Sequence, residues 1–170
     1  GLRRRSFIVP RAVASAGFLM AGHASALLSP TPRTSGTTTH VDGVTVSSVL
    51  FRNNEIMMSG NVYVPPDFSE NRQYAAIVVV HPGGGVKEQT AGLYALNLAK
   101  EGFVTLAFDA SHQGASGGLP RFVDDPMKRV VDFYSAVDYL TTLPYVDNNR
   151  IGALGVCAGS GITVKASMTE

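Results

Sequence analysis

Ile151-Gly152-Ala153-Leu154-Gly155-Val156-Cys157-Ala158-Gly159 runs from an apolar stretch into a bend flanked by glycines. Ile151 to Val156 reads as a strand, and the residues after it can open a helix. Gly-x-nucleophile-x-Gly between strand and helix is the pattern of a nucleophile elbow, here with Cys where Ser is commoner. So sharp a bend admits only small residues two places before and two places after the nucleophile. That accounts for Gly155 and Gly159. The bend lifts the thiol above the strand tips and aims the positive end of the helix dipole at it. Taken alone, the five residues leave two readings open. Cys157 is a nucleophile, or it is a small buried hydrophobe, as free cysteines commonly are.

The chain in front of the bend bears on that choice. Ala75 to Val80 is a short, continuous, Val-rich run, as expected of a strand buried on both faces. His81-Pro82-Gly83-Gly84-Gly85 follows its end. Glu88 to Glu101 reads as a helix, with Leu93, Leu96, Leu98 and Ala99 on its apolar side and Gly102 as its C-cap. Phe103 to Phe108 is a second buried strand. It ends at Asp109 and is followed by a loop containing His112, Gln113, Gly114, Gly117 and Gly118. Pro126 suits a helix start. Val130, Val131, Tyr134, Val137 and Leu140 continue a helical stripe until Pro144 and Asp147-Asn148-Asn149 end it. Ile151 to Val156 is then the third buried strand.

Upstream, Val44 to Arg52 alternates apolar and polar residues, Asn53-Asn54 signals a turn, and Glu55 to Val64 reads as a second strand stopped by Pro65-Pro66. Together these form an antiparallel hairpin at a sheet edge. The order is hairpin, strand, helix, strand, helix, strand, elbow. It calls for an α/β fold with right-handed crossovers and a mostly parallel sheet. Ligands on such sheets bind beyond the carboxyl ends of the strands, where the three loops at His81, Asp109 and Cys157 meet.

Residues 27–43 are rich in Ser, Thr, Pro and Gly and read as a linker. Residues 1–26 read as an address rather than a fold. Arg3-Arg4-Arg5 precedes the small, apolar stretch Ala12 to Gly22, and Ala24-Ser25-Ala26 offers a cleavage pattern. Arg4-Arg5-Ser6-Phe7-Ile8 is similar to a twin-arginine export signal, which implies a periplasmic or secreted protein. A basic tail or an organellar transit segment, with a cytoplasmic location, is the alternative. The apolar stretch is shorter than the roughly 20 residues of a bilayer span. The first residue is Gly, which implies processing or a missing start.

Composition removes several classes. The 170 residues are 45% hydrophobic with a net charge of +1, which suits one globular domain or part of one and gives no field for nucleic acid. One Cys excludes an intrachain disulfide framework or a Cys-rich metal site, and His23, His40, His81 and His112 are too dispersed to read as a metal motif. No cofactor is expected. The glycines after the first buried strand are consecutive, so the Gly-x-Gly-x-x-Gly of a dinucleotide-binding fold is missing.

With these motifs in order, residues 44–170 resemble the N-terminal half of an α/β-hydrolase, of the dienelactone-hydrolase-like branch that carries Cys in its elbow. The resemblance rests on three motifs: His81-Pro82-Gly83-Gly84-Gly85-Val86-Lys87-Glu88-Gln89; Phe108-Asp109 with Gln113-Gly114-Ala115-Ser116-Gly117-Gly118; and Arg150-Ile151-Gly152 leading into the elbow. It implies a three-layer sandwich and a hydrolase acting on small-molecule esters or thioesters. Cys157 would be its nucleophile. The backbone N–H groups of Ala158 and Gly83 would be the oxyanion donors. His81, Asp109 and His112 fall on loops at the same sheet edge. Their structural readings are a loop-packing histidine, an acid that accepts backbone N–H bonds, and a solvated loop histidine. One departure stands out. The family's acidic side chain beside the thiol aligns with Pro82, and Glu88, expected on the helix, is the weak alternative.

In this fold the acid and histidine partners follow the nucleophile in the chain. Thirteen residues follow Cys157, none is His, and the sole acid is Glu170. The expectation is therefore a chain that is inactive and marginally stable, with Ile151 to Val156 as an uncovered, aggregation-prone edge, and a parent hydrolase that continues for roughly another hundred residues or more, since such domains commonly run about 200–250 residues. Two other functions stay open. One is an acyltransferase on the same scaffold, and the other is a binding protein that keeps the elbow and lacks the base.

Overall fold

The computed structural model describes residues 33–168. The export signal expected over residues 1–26 lies outside the described residues. The elements are β1 (Arg33–Val41), β2 (Val44–Asn53), β3 (Ile56–Val64), β4 (Tyr74–Val80), α1 (Thr90–Lys100), β5 (Val104–Phe108), α2 (Pro126–Thr141), β6 (Val146–Gly155) and α3 (Ala158–Ser167). They form one six-stranded sheet in the order β1-β2-β3-β5-β4-β6.

The sheet is mixed. β1, β2, β3 and β5 pair antiparallel in succession, while β4 pairs parallel with β5 on one side and β6 on the other. The antiparallel part exceeds the expected hairpin because β1 falls inside the expected linker. Ser, Thr and Gly had suggested a loop, but threonine is β-branched and suits a strand. Asp42-Gly43, with φ of 51° and 82°, closes a two-residue hairpin onto β2.

The chain leaves β4 through α1 to reach β5, then returns through α2 to reach β6 on the opposite side of β4. The strand order therefore reverses at β4. In open α/β sheets the crevice for ligand lies at such a reversal, beyond the strand carboxyl ends. That places it between the loop after β4 and the bend after β6.

Helices cover both faces, giving three layers. On one face Ala91, Ala95 and Ala99 of α1 meet Val44, Tyr63, Val79 and Ala107. The apolar side expected for α1 holds at Ala99, with Leu96 and Leu98 half-buried against this cluster, and is corrected at Leu93. Leu93 is 59% exposed, and alanines at i, i+4 and i+8 let the helix backbone lie close to the sheet. The Gly102 and Phe103 amides close α1 onto the carbonyls of Ala99 and Leu98. On the other face α2 and α3 bury Val130, Tyr139, Leu140 and Ile162 against Val78, Leu106 and Phe108. The α2 stripe also differs from expectation. Val131 faces solvent, while Arg129 and Asp132 are buried. β6 has β4 as its only strand neighbour among the described residues, so Ile151 to Val156 is an edge, as expected.

Candidate active site

The bend after β6 is held by backbone. Val156 N–H donates to Val80 O (3.1 Å), which ties β6 to the end of β4. Gly159 and Ser160 amides donate back to the carbonyls of Val156 and Cys157, both at 2.9 Å. Cys157 takes φ 54° and ψ −119°. An L-residue held there stores about 1–3 kcal/mol of strain. The two flanking glycines allow it. A Cβ on Gly155 would lie 2.2 Å from Gly159 O, and a Cβ on Gly159 would lie 2.4 Å from Val80 O. Both distances are below any real Cβ contact. Cys157 and Ala158 are exposed at the N-terminus of α3.

The loop after β4 meets this bend. A Cβ on Gly83 would lie 3.5 Å from the Cβ of Ala158, so the two expected oxyanion donors sit on adjoining backbone segments. Neither amide has an acceptor among the described residues. Beside them opens a groove of about 420 Å³ lined by Asp124, Met127, Arg129, Val130, Ala158 and Ile162, among others.

His81 and His112 are both committed elsewhere. His81 is fully buried. Its Nε2 accepts from Ala110 N–H (3.1 Å), so Nδ1 carries the proton and donates to Pro82 O (2.6 Å). Burial pushes its pKa below the usual imidazole value. His112, expected to be solvated, is buried. Its ring packs over Gly118, where a Cβ would meet Nδ1 at 2.8 Å, and Nδ1 lies 2.9 Å from Pro120 O. Lys128 Nζ approaches its Nε2 at 3.4 Å.

The His81 shift gives stability a pH dependence. The unfolded chain takes up a proton near pH 6.5, while the folded chain resists it to lower pH. Stability therefore falls as pH drops below about 6.5. Asp132, whose pKa burial raises, acts in the opposite sense and at lower pH. Urea midpoints measured over this range should decline with acid, and His81→Gln should reduce the slope.

Asp109 is fully buried and joins two loops. It accepts from Lys87 N–H and Nζ and from Ala115 N–H, each at 2.8 Å. Burial pulls the Lys87 pKa down, but hydrogen bonds to Asp109 and Glu88 outweigh it and leave the pKa raised. Glu88 precedes α1 rather than lying on it. Its exposed carboxylate pairs with Lys87 at 2.7 Å.

Three charged residues escaped the sequence reading. Asp132 accepts from Ser111 N–H (2.8 Å), Ser111 Oγ (2.9 Å) and Asn53 Nδ2 (2.6 Å), and so fixes the loop after β5 to α2. Arg129, also on α2, donates from Nη2 to His81 O, and its Nη1 lies 3.5 Å from Asp124 Oδ1. Asp124 Oδ2 accepts from Gly84 N–H (3.2 Å). The available signal was two charges three residues apart beside Val130 in an apolar helical stripe. Asp125 ahead of Pro126 marked the helix start, and its side chain accepts from Met127 N–H.

The model of the dienelactone hydrolase family matches residues 60–170. The chain is 57% identical over 125 residues to the uncharacterized protein YcjY of Escherichia coli, over 74% of this chain and 41% of that protein. It is 34% identical over 92 residues to the thiohydrolase aneE of Aspergillus aculeatus, over 54% of this chain and 29% of that protein. The crystal structure of the hypothetical protein PA2218 from Pseudomonas aeruginosa matches with a TM-score of 0.71 at 40% identity, over 76% of this chain and 40% of that chain. This chain therefore spans less than half the length of each. The matched segment begins within β3 and runs through the strand reversal to the bend and α3, all on an α/β-hydrolase fold. On that match the chain belongs to the dienelactone hydrolase family.

Proposed function

We propose that Cys157 accepts an acyl group from a small ester or thioester. Sγ bonds to the carbonyl carbon, and the π electron pair moves to oxygen, where the Ala158 and Gly83 amides stabilise it. Each such donor contributes about 2.7–4 kcal/mol to the transition state. The pair then reforms C=O and expels the alcohol or thiol, which takes the proton that left Sγ. Water attacks the acyl-Cys157 thioester in turn, giving the acid and restoring the thiol. The observation that carries this reading is the strained, exposed Cys157 backed by two unaccepted amides.

A thioester is the better substrate here. A thiolate leaves readily, with an ordinary thiol pKa of about 8.5, whereas an alkoxide needs an acid to protonate it. The thiohydrolase named above belongs to the same chemistry. The second step is the weak one in this 170-residue chain. Both ring nitrogens of His81 and of His112 are engaged, so neither is free to activate water. Acylation outruns deacylation, and the acyl-enzyme accumulates.

The test is a burst assay with p-nitrophenyl acetate and S-phenyl thioacetate. We expect release of about one equivalent of leaving group, faster from the thioester, and none with Cys157→Ala. Many turnovers without delay would overturn the stall. Release unchanged in Cys157→Ala would overturn the nucleophile. If added alcohols or amines drain the acyl-enzyme far faster than water does, the reaction is acyl transfer.

A further inference from the structure

We propose that Arg129 is a positioning residue that holds the oxyanion loop in register with the elbow. The inference rests on the reading of Cys157 as the acylated thiol. Arg129 stands in the first turns of α2, between the two segments that supply the amides, and is 3% exposed. Its guanidinium works in two directions. Nη2 donates to His81 O, the last carbonyl before Pro82 and Gly83. Nη1 reaches Asp124 Oδ1 at 3.5 Å, and the other oxygen of that carboxylate receives the Gly84 amide at 3.2 Å. Arg129 thus holds the Gly83 peptide from both sides: directly through residue 81, and through Asp124 at residue 84.

The second strand of the argument is what the loop lacks. Gly83 and Gly84 carry no side chain to pack, and Gly84 has φ 66°. Two consecutive glycines hold no conformation by themselves. The loop closes one turn of its own, Gly85 N–H on Pro82 O at 3.0 Å, and the fork of a guanidinium, with donors in fixed geometry, anchors that turn to α2. Its Nε is buried without a partner, so the side chain is held by these loop contacts rather than by a full set of bonds within α2. Arg129 also lines the same groove as Ala158, which places it beside the bend.

A merely structural arginine would affect stability alone. A positioning arginine affects reactions that seat a tetrahedral oxygen on the Ala158 and Gly83 amides and spares those that do not. Butanal labelled with ¹³C at its carbonyl separates the two. The Cys157 thiol adds across C=O, forming C–S while its proton goes to oxygen, and the hemithioacetal carbon is read by ¹³C NMR. Iodoacetamide alkylates the same thiol by displacement at a saturated carbon and needs no oxyanion donor. The quantity to compare is hemithioacetal affinity relative to alkylation rate.

In Arg129→Met this ratio should fall on the order of tenfold, less than the roughly hundredfold or more lost when a donor is removed outright. Arg129→Lys should recover part of it. Should Arg129→Met fail to fold, Asp124→Ala, at a partly exposed side chain, carries the same expectation. An unchanged ratio in folded Arg129→Met or Asp124→Ala overturns the proposal while leaving Cys157 as the nucleophile. A wild-type protein that is alkylated at Cys157 but forms no hemithioacetal overturns the reading of Cys157 itself, and this proposal with it.

Discussion

Asp109→Ala is expected to destabilise the protein by about 3–5 kcal/mol, the range for removing one partner of a buried ion pair. The side chains of Asp109 and Lys87 are 1% and 7% exposed. Alanine leaves the Lys87 ammonium with only the exposed Glu88 as counter-charge, and strips the Lys87 and Ala115 amides of their acceptor. The loops after β4 and β5 then separate, although Asp109 does not touch the thiol. Urea denaturation measures the loss. The double variant Lys87→Met/Asp109→Ala should recover part of it, because no buried charge then remains. A loss below about 1 kcal/mol would mean that the pair is solvated.

The second large effect belongs to Gly159. A Cβ there meets Val80 O at 2.4 Å and His81 O at 2.9 Å, both backbone atoms with no side chain to move aside. Gly159→Ala must therefore push α3 away from the end of β4, and Cys157 moves with it. Displacement of about 1 Å at a reacting group can lower its rate about a hundredfold. The burst from S-phenyl thioacetate should fall by that order, with a lower melting temperature. Gly161, two residues on, is the control, since nothing lies within 4 Å of its added Cβ. Gly161→Ala should raise stability by about 0.5–1 kcal/mol, the usual gain inside a helix. Equal behaviour of the two variants would mean that the bend is not as tight as described.

Why these residues were legible, and others not, follows from the range of the forces involved. The bend at Cys157 could be read because its requirement is local: two small residues at fixed spacing between a strand and a helix. β4, β5 and α2 could be read because Gly102, Pro126 and the polar loops punctuate continuous apolar runs. β1 was lost because threonine serves both strands and loops, and its pairing with β2 is what decides. Part of the packing face of α1 was missed, at Ala91 and Ala95, because alanine is a weak hydrophobic signal, and only the distance to the sheet selects them over Leu93. Arg129 and Asp124 could not be found from spacing alone. Their partners lie 48 and 40 residues upstream, at His81 and Gly84, and a charge in a helical stripe does not reveal what it meets.

The same reasoning bears on the histidines. Both stand on loops at the correct sheet edge, and sequence position alone left each available to the thiol. Geometry binds His81 between Ala110 and Pro82, and His112 between Pro120 and Lys128. Both side chains tie loops at the strand tips.

The most direct measurement is the site of acylation. Protein treated with a small excess of S-phenyl thioacetate near neutral pH, quenched in acid and digested, is mapped by tandem mass spectrometry. The account predicts one acetyl group on Cys157, and none after mild hydroxylamine, which cleaves thioesters. Acetyl groups spread over lysines, or equal labelling of Cys157→Ala, would contradict it.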